Sequence, residues 1–451
     1  MVPTRDPFSN SMPGAVWTAH EWLSEVILAA AHQAGGWTAV VALTALAFSV
    51  AMALLTRALL KSLEPIYALL FAALAVSMSA GHLLARPHVL AMPLMLIWTI
   101  ELVRASEEAR APRLWLLPLM TVWANLHGGF TLGIALAFAF AFESLLAARA
   151  AARLAGAAKS WALFLVLAIA SALVTPHGTQ GILYTWQIFF HSSYALQVIG
   201  EWQSPNFHTF QPLALWLVVC LATVMYRGLR FPPVRVLLVV ALLYLALKHI
   251  RYVELIGLLV PLFIATPLAV QWRASRKSQQ QLEVADRFFR ALAQPAGKGA
   301  LLAAVAFFVA MPLWISHARP IEAPEATAPV LAVEAAQKDA VKGNVLNAYN
   351  WGGYLIYVGI PPFIDGRAEM YGDQLLKEYA AALALTSPDS LEKLIAGHEI
   401  TWTLLAPDSA AVALLDRLPG WRRLYSDTTA VVHVKAGGPG NGARSLEAAG
   451  R

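Results

Sequence analysis

Long apolar runs recur along the chain between residues 37 and 317, and short stretches between them hold most of the charged residues. Runs of about 14 to 20 apolar residues have the length that a helix needs to cross a bilayer. Within lipid only helices and closed barrels satisfy their backbone hydrogen bonds, so the pattern predicts an α-helical polytopic membrane protein. Its roughly ten predicted spans are centred on residues 37–56, 65–82, 88–103, 114–125, 129–147, 160–176, 212–226, 234–247, 252–270 and 299–317.

The residues before the first run show a different pattern. Between residues 15 and 33 the apolar side chains fall on one stripe of a helix that includes Trp22, and His20 and Glu21 fall nearer another. Such an amphipathic helix is expected to lie along the membrane interface. Gly35-Gly36 should end it before the first span begins.

After residue 317 the apolar runs become short. Helix-like stretches at Ser387 and at Ser409–Leu418 alternate with short strand-like segments, which predicts a small α/β layer domain. The strand-like segments are Asn344-Val-Leu-Asn-Ala-Tyr, Pro362-Phe-Ile-Asp, Ile400-Thr-Trp-Thr-Leu-Leu and Ala430-Val-Val-His-Val. The predicted division is an outer-face interfacial segment (1–36), a transmembrane domain (37–317), an extracytoplasmic α/β domain (318–436) and a disordered tail (437–451).

Charge changes the picture by giving the spans an orientation. A net charge of +6 would fit a nucleic-acid partner, but the Lys and Arg residues before residue 317 cluster in every second loop, for example Arg227, Arg230 and Arg235. Such loops are cytoplasmic by the positive-inside rule, and we predict no nucleic-acid partner. Residues 177–211 contain no Lys or Arg, which places them, the N-terminus and the chain after Arg319 on the outer face.

Polar residues collect at the ends of the spans on this outer face. Arg86, Lys248 and Arg251 depart from the positive-inside pattern, and such cations suit a bound phosphate or the lipid headgroups themselves. A carboxylate is needed to deprotonate an acceptor, and Asp6, Glu21, Glu25 and Glu201 are candidates beside the alternative of solvated surface acids. Further candidates for the same cleft are His20, His88, Asn125, His127, His177, Trp202 and His249.

Several classes of function lose support from what the sequence lacks. The spans hold no ionisable group near their middle, which weighs against an ion-coupled transporter. Cys220 is the single cysteine, so the chain forms no intrachain disulfide and no thiolate metal site. No HExxH, GxSxG, P-loop or CxxC pattern occurs, which removes the common hydrolase, NTPase and metal signatures.

These segments resemble a group of little-characterised bacterial membrane proteins, which is similar in turn to the GT-C superfamily of polyprenyl-phosphate-sugar-dependent glycosyltransferases. The first resemblance runs through most of the chain, and the second rests mainly on architecture. The segments that carry it are Asp6-Pro-Phe-Ser, Trp17-Thr-Ala-His-Glu-Trp-Leu-Ser-Glu, Ala85-Arg-Pro-His, Trp123-Ala-Asn-Leu-His-Gly-Gly-Phe, Thr175-Pro-His-Gly, Glu201-Trp-Gln-Ser-Pro, Trp351-Gly-Gly-Tyr-Leu and Ile364-Asp-Gly-Arg-Ala-Glu-Met-Tyr-Gly.

The resemblance implies a multi-pass protein of the bacterial cytoplasmic membrane that binds membrane lipid and a polyprenyl-phosphate-linked sugar. Asp6, His20 and Glu21 would belong to the first outer loop. Arg86 and His127, together with His88 and Asn125, would border the same cavity. No cofactor is required by the sequence; a divalent metal ion stays open because some superfamily members use one, although no ligand spacing demands it.

The chain departs from the superfamily at its start. Related sequences carry an upstream span and an Asp-rich stretch, and Met1 comes after the place where both would stand. Either the coding start lies upstream, or this member has lost its activity. In the C-terminal domain, Asp365 and Arg367 could bind an acceptor sugar beside aromatic residues or pair with each other in a Gly-rich turn.

Three functions therefore compete at the level of sequence. The first is a glycosyltransferase that moves a sugar from a polyprenyl-phosphate carrier to a lipid, glycan or protein acceptor. In this hypothesis Asp6 or Glu21 is the base, and Arg86 and Arg251 bind the phosphates of the donor. His88 or His127 stabilises the leaving phosphate. The second is a transporter or lipid-handling protein, for which we find no internal repeat. The third is an assembly partner in the cell envelope, as an inactive GT-C homologue would be. The sequence sets neither the sugar nor the oligomeric state.

Overall fold

The computed structural model describes residues 2–151, 153–191, 194, 200–275, 283–319, 321–322 and 327–437. The chain divides into two compact units that interleave along the sequence. The helical unit comprises His20–Thr185 and Ile199–Ile321. The sheet unit comprises Met1–Ala19, Trp186–Val198 and Glu322–Arg451, and so joins the N-terminal segment to the C-terminal domain.

Every predicted span lies on a helix. Within the described residues, seven helices are long and apolar enough to cross a membrane, and Leu114–Leu126 and Pro212–Arg227 are shorter apolar segments. The count of about ten spans stays a prediction. The helices up to residue 318 are α1 (Trp22–Leu59), α2 (Pro65–Ser79), α3 (Pro87–Glu107), α4 (Leu117–Leu126), α5 (Phe130–Ala150), α6 (Leu154–Ala172), α7 (Gln180–His191), α8 (Pro212–Arg227), α9 (Pro233–Lys248), α10 (Val253–Ser275), α11 (Glu283–Leu292) and α12 (Lys298–Ala318).

Helix α1 contains both the predicted interfacial helix and the first predicted span. It begins at Trp22, later than the predicted residue 15, and runs to Leu59. Gly35 and Gly36 interrupt it with non-helical dihedral angles, φ −162° and ψ 29° at Gly35 and φ 62° and ψ −158° at Gly36. Only glycine adopts the angles of Gly36 readily, which explains why the chain turns at this pair. The predicted boundary at residue 36 therefore falls inside α1, at its kink.

The core of the helical unit depends on close helix contacts. A Cβ atom added at Gly257 would lie 2.8 Å from Ala75 Cα, so glycine allows α10 to approach α2. A Cβ atom at Gly133 would lie 2.5 Å from the ring of Trp123, which is buried between α4 and α5. These contacts pack α10 against α2 and α5 against α4.

Arg235 is not the loop residue that the charge pattern predicted. Its side chain is 3% exposed, and its guanidinium donates to Glu143 Oε1 at 3.0 Å, Glu107 Oε1 at 2.9 Å and the Phe263 carbonyl at 3.0 Å. A buried guanidinium needs such partners because its desolvation is costly. Arg235 thus joins α9 to α3, α5 and α10, and it does not mark a loop between spans.

The sheet unit is built on a four-stranded sheet. Strands β1 (Asn344–Asn347) and β2 (Ile400–Leu405) pair in parallel, whereas β4 (Val431–Lys435) pairs antiparallel with β2 and with β3 (Trp421–Ser426), giving the order β1-β2-β4-β3. Val345, Trp402, Leu404 and Val432 are among the buried apolar residues of its core. The helices are α13 (Val330–Lys338), α14 (Gly352–Tyr357), α15 (Ala368–Ala384), α16 (Ser390–Gly397) and α17 (Ala410–Leu415).

The α/β prediction holds for this unit, with two corrections in the strands. Pro362-Phe-Ile-Asp forms no strand, because the amide of Phe363 donates to the side chain of Asn347 at 2.7 Å and not to a neighbouring strand. Strand β3 was not predicted, since its Arg422 and Arg423 are exposed and conceal any apolar pattern. Of the predicted tail, residues 438–451 lie outside the described residues.

Candidate functional site

A carboxylate between two histidines forms the centre of the candidate site. Glu21 lies at the entry to α1, and its Oε1 is 3.6 Å from His20 Nε2 and 3.5 Å from His127 Nε2. The His20 ring packs against Tyr184 with 4.5 Å between ring centroids. The side chains of His20, Glu21 and His127 are between 21% and 25% exposed, so solvent and a ligand can reach them.

His127 has a defined tautomer in its neutral form. Its Nδ1 accepts a hydrogen bond from the backbone amide of Gly129 at 3.0 Å, so Nε2 carries the proton and faces Glu21. Burial lowers the pKa of His127 well below the ordinary value, and the charges of His88, Arg251 and His20 act in the same direction. The carboxylate of Glu21 therefore faces a neutral N–H group at neutral pH.

A second histidine and a second acid lie next to His127. The rings of His88 and His127 are 6.2 Å apart between centroids. His88 Nε2 lies 3.2 Å from the carbonyl oxygen of His82 and 3.9 Å from Oε2 of Glu254. Glu254 is in the first turn of α10 and is 7% exposed.

Two arginines, Arg86 and Arg251, supply the positive charges of the site, and each lies in a short segment next to a helix. Arg86, just before α3, forms an ion pair with Glu201. Burial opposes ionisation of Glu201, but the hydrogen bond from Arg86 and the positive charges of Arg86 and Arg251 together outweigh it, so the pKa of Glu201 is lowered. Arg251, after α9, stacks on Trp202 with 4.3 Å from Cζ to the ring centroid.

His249 holds the Glu201–Trp202 segment in place. Its Nδ1 hydrogen-bonds the carbonyl oxygen of Trp202, and the amide of Ile250 donates to the Gln203 carbonyl at 2.8 Å. Burial lowers the pKa of His249, so this ring is neutral at neutral pH. Residues 200–203 and 249–251 thus form one connected surface beside Arg86.

Three other predicted residues have different surroundings. Asn125 is buried, and its contacts are structural. Its Oδ1 accepts a hydrogen bond from Trp22 Nε1 at 2.8 Å, and its Nδ2 donates to the carbonyl oxygens of Thr121 (2.8 Å) and Val174 (2.9 Å). It fixes the entry to α1 against the end of α4 and so holds Glu21 in place. His177 lies in the turn after α6, and Lys248 ends α9 with an exposed side chain.

Asp6, Asp365 and Arg367 form a separate cluster in the sheet unit. Arg367 donates to Asp6 Oδ1 at 2.7 Å and to both carboxylate oxygens of Asp365, at 2.8 and 2.5 Å. Its guanidinium also lies 4.8 Å from the ring centroid of Trp17. Burial opposes ionisation of Asp6, but hydrogen bonds from Ser9, the Phe8 amide and Arg367 outweigh it, so the pKa of Asp6 is lowered. The pairing of Asp365 with Arg367 considered from the sequence is present.

The described residues do not fit the metal ion that the superfamily resemblance left open. No group of three or more His, Cys, Asp or Glu side chains among them is arranged to hold a metal. The histidines and carboxylates around Glu21 approach each other in pairs, at 3.5–3.9 Å. A metal site needs ligand atoms that converge on one point, so we derive no chemistry from a metal ion.

Sequence reasoning did not select Glu254 or His82 for the site. His82 lies in the same polar run as Arg86 and His88, and Glu254 follows Arg251 by three positions. An acid within the first turn of an apolar helix was the signal for Glu254. That signal does not show which face of α10 the side chain occupies, and only the fold brings it to His88.

Comparison with known proteins shows the fold. No family model and no curated protein matches the sequence. Among solved structures, the archaeal oligosaccharyltransferase AglB from Archaeoglobus fulgidus, in complex with an inhibitory peptide and a dolichol-phosphate, matches 89% of this chain with a TM-score of 0.50 and 10% identity. The fold is of the GT-C type.

The chain is thus a mostly helical, multi-pass membrane protein with a small C-terminal sheet domain. It spans 63% of the length of the AglB chain. ArnT from Cupriavidus metallidurans, bound to undecaprenyl phosphate, also matches, over 93% of this chain and 88% of its own, with a TM-score of 0.43 and 14% identity.

Proposed function

We propose that this protein is a glycosyltransferase of the bacterial cytoplasmic membrane. It would move a sugar from a polyprenyl-phosphate carrier to a lipid, glycan or protein acceptor on the outer face, and its C-terminal domain would be extracytoplasmic. The observation that carries the proposal is the approach of Glu21 Oε1 to His127 Nε2 at 3.5 Å, close enough to Arg251 for its charge to help lower the pKa of His127. The dolichol-phosphate of AglB, a protein of the same fold, supports a carrier of this class.

Glu21 takes the role of the base in this proposal. Its carboxylate is partly exposed and faces the neutral His127 N–H, so an acceptor hydroxyl can approach it. Asp6 was the other candidate for this role, but its carboxylate has no exposed surface and holds Arg367. We therefore give Asp6, Asp365 and Arg367 a part in the sheet unit, where an acceptor sugar could stack on neighbouring aromatic rings.

Arg86 and Arg251 take the phosphate of the carrier. An arginine binds phosphate oxygens through two parallel hydrogen bonds, and both arginines are near His88. Arg86 must exchange the carboxylate of Glu201 for the phosphate when the carrier binds. Transfer then needs alignment of the acceptor with the sugar and neutralisation of the leaving phosphate, without a covalent intermediate.

The test uses the full chain in lipid nanodiscs with a radiolabelled polyprenyl-phosphate-linked sugar and extracted envelope lipids and glycans as acceptors. We expect transfer in the natural chain and a loss of about 100-fold or more in Glu21→Gln, because the base is removed. Glu25→Gln, one turn further along α1 and exposed, is the matched control and should keep activity. The proposal fails if no such sugar is transferred to any acceptor.

Carrier binding gives a second readout. Arg251→Ala should weaken binding of polyprenyl phosphate about tenfold or more, since a charge-assisted contact is lost. Arg149→Ala, an exposed arginine in the last turn of α5, should leave binding unchanged. Equal effects of the two substitutions would show that arginines bind bilayer phosphates in general and that this pair does not form a carrier site.

A further inference from the structure

Glu254 is a buried acid whose contacts require an explanation. It is 7% exposed, and no hydrogen-bond donor among the described residues reaches its Oε2 atom. A buried carboxyl oxygen without a partner costs free energy, whether or not the group is ionised. The imidazole of His88 is a group that can exchange a proton with it, and its Nε2 lies 3.9 Å away.

The two nitrogens of His88 have different surroundings. Nε2 faces two oxygens, the His82 carbonyl at 3.2 Å and Glu254 Oε2 at 3.9 Å. While Nδ1 holds the proton of the neutral ring, Nε2 carries none, and the His82 carbonyl, which can only accept, favours the arrival of a proton there. Nδ1 is the nitrogen that remains for a ligand, as in sites where one ring nitrogen is oriented by a carboxylate and the other reacts.

The charges around His88 come from several elements. Arg86 and His82 precede α3, Arg251 precedes α10, and His127 ends α4. With a protonated Glu254 beside a neutral His88, the pair adds no charge of its own to the two arginines until an anion arrives between them.

We propose that Glu254 is a positioning residue of the transferase that supplies a proton to Nε2 of His88 while Nδ1 of His88 protonates the departing carrier phosphate. This inference rests on the proposed function. The bond between the sugar C1 and the phosphate oxygen breaks, and its electron pair stays on the phosphate. That oxygen takes the Nδ1 proton, and the carboxyl of Glu254 passes its own proton to Nε2.

The acceptor side completes the balance. The acceptor oxygen forms the new bond to C1, and its proton goes to the carboxylate of Glu21. One turnover therefore leaves Glu21 protonated and Glu254 ionised, and exchange with solvent restores both. The anion that leaves carries one proton and one negative charge, which Arg86 and Arg251 can release more readily than a dianion.

Glu254→Gln tests the inference in the full chain, because the amide has the shape of a protonated carboxyl but no proton to give. We expect the kcat for transfer to fall about 10- to 100-fold, with carrier Kd unchanged within about twofold. In the natural chain we expect kcat to fall at high pH, where the carboxyl of Glu254 loses the proton that it gives to His88. This fall should be absent from Glu254→Gln. His88→Asn should have a similar effect, and the double substitution should be no worse than either alone.

Glu254→Asp covers the case in which the glutamine variant folds poorly, since it keeps a carboxyl group. It should retain the high-pH fall in kcat and more activity than Glu254→Gln. Unchanged kcat and unchanged pH dependence in both variants, beside an inactive Glu21→Gln, would overturn the role of Glu254 and leave the proposed function standing.

A measurement without turnover separates the two ideas fully. In the full chain labelled with ¹⁵N-histidine, the ring signals of His88 are those absent from His88→Asn. We expect these signals and their titration midpoint to change in Glu254→Gln, because the carboxyl group next to Nε2 is gone. Identical His88 signals from pH 5 to 9 would overturn the pairing. A changed spectrum in a protein that transfers no sugar would instead reject the proposed function.

Discussion

At the residue scale, one backbone amide decides which nitrogen of His127 faces Glu21. The amide of Gly129 donates to Nδ1, and the opposite nitrogen therefore presents its proton to the carboxylate. A Cβ atom at Gly129 would lie 2.8 Å from Nδ1 of His127, closer than real Cβ contacts allow. At the neighbouring Gly128, the closest atom to such a Cβ is 3.6 Å away on His20, an ordinary contact.

Gly129→Ala should therefore reduce transfer activity about tenfold or more, because the His127 ring must move and lose its hydrogen bond. Gly128→Ala is the matched control and should keep most activity. Both positions have ordinary backbone angles, so neither alanine is strained by its own conformation. The pair is compared by kcat and by thermal unfolding; equal activity in the two variants would contradict this view of His127.

The residues of the site could be named from the sequence more readily than their partners. Runs such as the one from His82 to His88 mark the end of an apolar helix, because polar residues next to an apolar run are expected to leave the bilayer core. The pairing of Glu21 with His127 or of His88 with Glu254 joins distant parts of the chain. Spacing along one helix holds no information on such pairs, so only packing reveals them.

At the scale of elements, the kink of α1 directs the entry of the chain into the helical unit. The residues before the kink hold Glu21 and Trp22 against the end of α4, and the residues after it form an apolar helix of the core. Gly36 has φ 62° and ψ −158°, a combination that other residues avoid.

Gly36→Ala should therefore destabilise the protein by about 1 to 3 kcal/mol, or straighten α1 and displace Glu21. Gly156→Ala in α6 is the control, since nothing lies within 4 Å of its added Cβ and its backbone has no positive φ. That substitution should be neutral or stabilise by about 0.5–1 kcal/mol. Thermal unfolding in nanodiscs compares the two, and an equal midpoint would show that the kink does not need glycine.

The elements themselves were largely predictable. The helices could be located from the apolar runs, because a helix that crosses a bilayer must be long and apolar and the sequence shows both properties directly. Strands β1, β2 and β4 are short apolar runs and were found, whereas β3 carries exposed arginines and was missed. Arg235 was misplaced for the opposite reason, because a basic residue indicates a loop even when its side chain is buried and paired with carboxylates.

At the scale of the whole molecule, the first residues of the chain complete the unit formed by the last ones. Asn10 donates from its side chain to the carbonyl oxygens of Val345 (3.1 Å) and Pro361 (2.9 Å). Asp6 accepts from Arg367 at 2.7 Å. Sequence analysis assigned these residues to the membrane interface, since no local pattern shows a docking segment of irregular backbone.

Asp6→Asn should increase hydrogen–deuterium exchange of residues 2–19 and of the turn at Arg367, because a carboxylate that holds the guanidinium is lost. Asp408→Asn, at an exposed position of the same unit, is the control. The folded-state pKa of Asp6 is below the ordinary 3.8, so its stabilising effect is present above that pH and is lost as pH falls further. Equal exchange in both variants would contradict the docking role.

The contact between Asp6 and Arg367 also sets an order of events during biosynthesis. The two residues are 361 positions apart, so Asp6 leaves the ribosome long before its partner exists. At roughly 5 to 20 residues per second, the interval is about 20 to 70 s. Throughout that time the membrane helices are made while the N-terminal segment lacks its final hydrogen bonds. Pairing of Asp6 with Arg367 therefore shows that synthesis has passed residue 367.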